Sequence, residues 1–105
     1  MFYEVSILYD EYGWSFYQDW IDALDEITSE RIKNRINRVK FGNFGDFKNV
    51  YKNIYELRFF FGSGYRVYFA KEGKNIILLL AGGDKLTQKK DIKKAIEIYE
   101  KYKSK

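Results

Sequence analysis

The stretch Tyr55-Glu-Leu-Arg-Phe-Phe-Phe-Gly-Ser-Gly-Tyr-Arg-Val-Tyr-Phe69 constrains the chain more than any other. Aromatic and β-branched residues fill both of its halves, and glycines divide them, which is the pattern of a β-hairpin. A three-residue loop, Gly62-Ser63-Gly64, pairs Phe61 with Tyr65, Phe60 with Arg66 and Arg58 with Tyr68. Residues that face each other across a hairpin share a face of the sheet. Arg58 and Arg66 therefore project together, opposite Leu57, Phe59, Val67 and Phe69. A two-residue loop would shift the pairing by one and push an arginine into the apolar face, at the cost of burying a charge. The expected product is a sheet with one greasy face for helices and one open face. On that open face both arginines are solvated and dispensable for folding.

The next segment, Ile76-Ile-Leu-Leu-Leu80, has no polar alternation, so it reads as a strand buried on both faces. Its free edge needs a partner, and Phe2–Leu8 is the unassigned β-favouring run. Ser15 and Gln18 form a capping box that opens a helix to about Leu24, with Phe16, Trp20, Ile21 and Leu24 as its apolar stripe. A second helix is expected from Thr28 to Lys40, with Ile32, Ile36 and Val39 inward and Arg31, Lys33, Arg35, Arg38 and Lys40 outward. Asn43–Lys52 reads as a glycine-broken lead-in to the hairpin. A last helix spans about Gln88 to Tyr102, with Thr87 as N-cap and a stripe of Ile92, Ala95, Ile96, Tyr99 and Tyr102. The order β-α-α-β-β-β-α predicts a single α+β domain with helices on one face of the sheet.

The chain contains neither histidine nor cysteine. That removes the usual general base, thiolate catalysis and cysteine-ligated zinc, and it fits a reducing cytoplasm. No apolar run is long enough to span a bilayer, and the N-terminus lacks a signal-peptide pattern, so no membrane role is expected. A net charge of +4 points towards an anionic partner, although scattered lysines also solvate helix faces. No Walker loop, dinucleotide motif, metal-ligand spacing or carboxylate pair is present, so neither cofactor nor metal is expected. One reaction stays within reach of Arg, Lys and Tyr. RNA carries its own 2′-hydroxyl nucleophile, so a protein need only align it and stabilise charge at the phosphate. Arginine suits the second task because its donor fork matches phosphate oxygens.

Glu56-Leu57-Arg58, Phe61-Gly62-x-Gly64-Tyr65-Arg66-Val67-Tyr68 and Leu78-Leu-Leu80-x-Gly82-Gly83-Asp84-Lys85-x-Thr87-Gln88-x-x-Asp91-Ile92 form an ordered set. Together with Phe16-x-x-x-Trp20-Ile21-x-x-Leu24, Arg31-Ile32-x-x-Arg35-Ile36 and Gly42-Asn43-Phe44-Gly45-Asp46-x-Lys48, it resembles the phage-derived addiction-module killer family. That family belongs to the RelE/HigB superfamily of toxins from type II toxin–antitoxin systems. The resemblance implies a RelE-like fold with a four-stranded, mainly antiparallel sheet. It also implies a cytoplasmic, ribosome-dependent mRNA endonuclease that uses no metal and is silenced by a cognate helix-turn-helix antitoxin. By position, Arg66 matches the catalytic arginine and Lys85 the second essential basic residue, with Arg58 and Lys52 in supporting positions. Gln88 and Lys89 fall among the RNA-binding positions. Thr87 and Gln88 stand where relatives stack a tyrosine on a base, which leaves Tyr65 or Tyr68 for that task. Asp84 is placed to pair with its neighbour Lys85. The ParE branch keeps a similar fold without the nuclease residues and poisons DNA gyrase, so a non-enzymatic toxin acting on a protein is the alternative.

Overall fold

A computed structural model describes residues 2–104. Its elements are β1 (Glu4–Ile7), α1 (Phe16–Asp22), α2 (Glu26–Val39), β2 (Phe47–Tyr51), β3 (Ile54–Arg58), β4 (Arg66–Glu72), β5 (Ile76–Gly83) and α3 (Gln88–Lys103). The strands form one mixed sheet in the order β1-β5-β4-β3-β2. β1 closes the free edge of β5 in parallel, with Val5 opposite Ile77, and the other neighbours are antiparallel.

The sheet has five strands among the described residues, one more than the sequence pattern implied. The lead-in ends at Gly45, and Phe47–Tyr51 folds back along β3. Lys52 adopts a positive φ of 46° at the reversal. The Asn49 side-chain amide donates to the carbonyls of Lys52 and Ile54 (2.6 and 3.1 Å), which locks the tight turn.

Helices cover both faces, which corrects the expectation of one. α1 and α2 pack on the face of Leu57, Val67, Phe69, Ile77 and Leu79 through Tyr17, Ile21, Ile32 and Ile36. α3 packs on the opposite face, setting Ala95 and Tyr99 against Ile54, Tyr68, Ala70, Leu78 and Leu80. The cause lies in β4, where Val67-Tyr68-Phe69-Ala70 is fully buried without alternation. A strand apolar on both sides needs cover on both sides. The Arg58–Arg66 end of the second face lies open beside α3.

The hairpin register is shifted by two residues. Arg58 faces Arg66, Glu56 faces Tyr68, and the Phe59 amide donates to the Tyr65 carbonyl (3.0 Å). Residues 60–64 form the loop, with Gly62 and Gly64 both at positive φ and the Gly64 amide bonded to the Phe61 carbonyl. This turn draws Phe61 out of the ladder, where the Arg31 guanidinium lies 3.7 Å from its ring centroid. A shift of two preserves the faces, so both arginines still lie opposite the Leu57–Phe59 side.

The caps explain the helix starts. The Ser15 hydroxyl accepts from the Gln18 amide (3.1 Å), as expected, whereas the Gln18 side chain turns to Asp22 instead of closing the box. α2 begins earlier than Thr28, because the Asp25 carboxylate accepts the Thr28 amide (3.0 Å). Arg35 does not solvate the outer face of α2. Its guanidinium donates to the carbonyls of Phe44, Asp46 and Arg58, stapling α2 to the start of β2 and the end of β3.

Candidate functional site

Three strand ends build the site. Arg58 of β3 faces Arg66 of β4, which in turn faces Gly83 of β5. Two residues beyond Gly83, Lys85 donates its backbone amide to the Ser63 carbonyl (3.3 Å), which ties the hairpin loop to the exit of β5. Arg58, Phe60, the Gly62–Gly64 loop, Arg66 and Lys85 line one open depression. The structure thus brings together Arg66, Lys85 and the supporting Arg58 that the resemblance singled out.

The double glycine is a packing device. A Cβ on Gly82 would strike the Trp20 indole of α1, and one on Gly83 would strike the Asp91 carboxylate of α3. The two glycines therefore let helices close on both faces of β5 at the edge of the depression. Asp84 starts the turn into α3 and does not pair with Lys85. Its carboxylate accepts from the Leu86 and Thr87 amides (3.0 and 3.3 Å), which closes the turn before α3; Thr87 holds the N-cap position, as expected, without a side-chain cap bond. Thr87 instead bonds its hydroxyl to Asp91, whose carboxyl is pushed up by burial against that hydrogen bond.

The electrostatics of the three cations differ. Like charges directly opposite in a ladder repel, and each arginine is offset by a carboxylate. Arg58 holds Asp46 through two nitrogens, Nε at 3.0 Å and Nη2 at 3.4 Å. Arg66 donates Nη1 to the Gly64 carbonyl (2.7 Å) and places Nε 3.6 Å from Glu56 Oε2. Its side chain is only 13% exposed, and that Nε makes no hydrogen bond. Lys85 is exposed, and its side chain has no partner among the described residues. It is the free cation of the cluster.

Glu56 is the residue that the sequence reading missed. It is 0% exposed, accepts the Tyr68 hydroxyl (3.1 Å) and the Gln88 amide (2.8 Å) on Oε2, and leaves Oε1 without a partner. Its charge lies at the inner wall of the site, behind Arg66. The available signal was its parity with Arg58 in the Glu-Leu-Arg triplet, which places it on the same face.

Tyr68 therefore belongs to the interior, and Gln88 is half-buried at the start of α3. Tyr68 is fully buried beneath α3, its phenol pushed up by burial and then by Glu56, and it presents no ring face to a base. Gln88 anchors α3 to Glu56 through one donor of its side-chain amide. Tyr65 leans to the other face, against Trp20 and Phe61 (ring centroids 6.4 and 5.5 Å apart), and does not line the depression. Lys52 sits at the β2–β3 turn beside the end of α3, six residues along the chain from Arg58 and so roughly 20 Å away at strand rise. Lys89 is exposed on the first turn of α3, outside the lining. Phe60 takes the place at the rim that the tyrosines do not.

Among the described residues no three acidic, histidine or cysteine side chains converge on a possible metal position, and no helix is long and apolar enough to cross a membrane. What the fold and site define is a small basic α+β domain with an arginine–lysine cluster on an open sheet end. Residues 19–103 match the family described as "Phage derived protein Gp49-like (DUF891)", and the chain belongs to that family, which is associated with RelE-like toxins of toxin–antitoxin systems. It is also 46% identical over 80 residues to an uncharacterized protein of Haemophilus influenzae, a match covering 75% of this chain and 81% of that protein.

Proposed function

We propose that this protein is the toxin of a type II toxin–antitoxin system and arrests translation by cleaving mRNA on the ribosome. The observation that carries this reading is the convergence of Arg58, Arg66 and Lys85 on one open depression. Arg66 offers its remaining donors to phosphate oxygens, and charge-assisted bonds of this kind stabilise the pentacovalent transition state. Lys85, free of a carboxylate, is the group that supplies or accepts a proton at the leaving or attacking oxygen. The nucleophile is the RNA's own 2′-hydroxyl, which must be brought in line with the phosphate. The depression is open and encloses no strand, so alignment falls to the ribosome. A cognate antitoxin of the helix-turn-helix class would hold the toxin silent in the cell.

A second reading rests on the pairing of the arginines. With Arg58 held by Asp46 and Arg66 backed by Glu56, the cluster is closer to neutral than its three cations suggest. That favours a non-enzymatic toxin docking on a protein such as DNA gyrase. Induced expression in a bacterial host separates the two. Growth arrest with broken messages, mapped by primer extension, supports the nuclease. Arrest with DNA damage and intact messages replaces it with the second reading.

A further inference from the structure

Three phenylalanines stand in a row at the end of β3, and the fold treats them differently. Phe59 is buried under α2, with the Arg35 guanidinium 4.6 Å from its ring centroid. Phe61 is half-buried beneath Arg31 and beside Tyr65. Phe60, between them, is 84% exposed and has no ring or cation contact among the described residues. Among the other exposed aromatics, Phe2 pairs with Phe41 and Trp14 with Phe16, while Tyr12 is also bare but does not line the depression. Phe60 instead lines the same depression as Arg58, Arg66 and Lys85.

Its setting is fixed. The loop that carries it is tied at three points, by Phe59 to Tyr65, Gly64 to Phe61 and Lys85 to Ser63, all through the backbone. A bare aromatic face beside cations matches the two halves of a nucleotide, a flat base and a phosphate. An acidic peptide would use the cations and leave the ring unmatched. A hydrophobic peptide would use the ring and leave the cations desolvated.

We propose that Phe60 is the base-stacking platform of this site, holding one unpaired base of a single-stranded RNA while Arg66 and Lys85 take the adjoining phosphate. This deepens the reading of the site as an RNA nuclease and rests on it. Phenylalanine has no donor or acceptor in its side chain, so the platform accepts any base and sequence preference must come from elsewhere.

The test compares a short single-stranded oligoribonucleotide with an abasic oligomer of the same length and charge, bound to purified protein at low ionic strength. Wild type should favour the base-bearing oligomer by roughly five- to a hundredfold, the range of base–aromatic stacking. Phe60→Ala should lose that preference and keep its affinity for the abasic oligomer within about twofold, and Phe60→Trp should retain the preference. Lys85→Ala should weaken both oligomers alike. A Phe60→Ala variant that still prefers the base-bearing oligomer overturns the platform and leaves the RNA reading standing. Equal loss for both oligomers also overturns it, because the ring then acts through loop structure. Wild type that binds neither oligomer overturns the platform, while the RNA reading stands or falls on cleavage of ribosome-bound message.

Discussion

Replacing Arg66 by alanine should cost stability as well as activity, contrary to what a solvent-facing arginine would do. Glu56 is fully buried, and the guanidinium at 3.6 Å is the cation nearest to its carboxylate. Truncation leaves that charge with two neutral donors, the Tyr68 hydroxyl and the Gln88 amide, and one oxygen still unbonded. Breaking a buried pair by removing one partner costs about 3–5 kcal/mol. The separation exceeds hydrogen-bond distance and Arg66 retains 13% exposure, so the loss should be smaller, roughly 2–3 kcal/mol. For a domain of this size that lowers Tm by roughly 10–20 °C. Calorimetry at neutral pH on wild type, Arg66→Ala, Glu56→Gln and the double variant measures the coupling. In the Glu56→Gln background the Arg66→Ala step should cost less than about 1 kcal/mol, because the charge it uncovers is gone. Additive single variants, or an Arg66→Ala protein as stable as wild type, would refute the link. Arg66→Lys keeps a cation near Glu56 without the planar fork, so it should retain most of the stability while losing the activity.

Other consequences follow from packing, burial and exposed surface. Gly82→Ala should destabilise by about 1–3 kcal/mol through overpacking against Trp20, and Trp20→Leu in the same chain should recover part of the loss on thermal melting. The Tyr17 phenol is raised to about 12, by burial first and by Asp22 second. The folded state therefore holds that proton more tightly than the unfolded chain. Its contribution to stability is complete below pH 10 and is lost as pH rises through 12, which denaturant titrations across that window should show. Antitoxin contact is expected along the groove of Leu8, Tyr9, Trp14, Phe16, Ile98 and Tyr102, whose lysine rim (Lys94, Lys101) suits an acidic amphipathic segment. Hydrogen exchange of the complex should show protection around Tyr9–Trp20 and α3. Protection confined to Arg58–Tyr68 would move the contact to the face of the arginine–lysine cluster.

Much of the architecture was legible because side-chain alternation fixes faces. The shared face of Arg58 and Arg66 follows from that period, the burial of β5 from its absence, and the pairing of β5 with β1 from the one β-favouring run left unassigned. Alternation cannot register a slip of two residues, so the true partner of Arg58 stayed hidden until the positive φ of Gly62 and Gly64 defined the loop. The cover on the second face was visible in principle. Val67-Tyr68-Phe69-Ala70 breaks alternation just as Ile76–Leu80 does, and the stripe of α3 needed somewhere to go. Glu56 was hidden for another reason. A carboxylate between Tyr55 and Leu57 in a strand looks solvated until a helix closes over it, and only tertiary packing supplied Tyr68 and Gln88 as its donors. The same packing removed Tyr68 from the surface and left Phe60 on it.

The central claim is tested most directly by primer extension on a defined message, free or bound to ribosomes, after incubation with the purified protein. Cleavage should be confined to the ribosome-bound message. Lys85→Ala, an exposed change that should leave stability within about 0.5 kcal/mol, should slow it roughly a hundredfold. Equal cleavage of naked RNA in physiological salt would contradict the need for the ribosome. No cleavage of either message, or an unaltered rate for Lys85→Ala, would contradict the assignment of this cluster as the nuclease site.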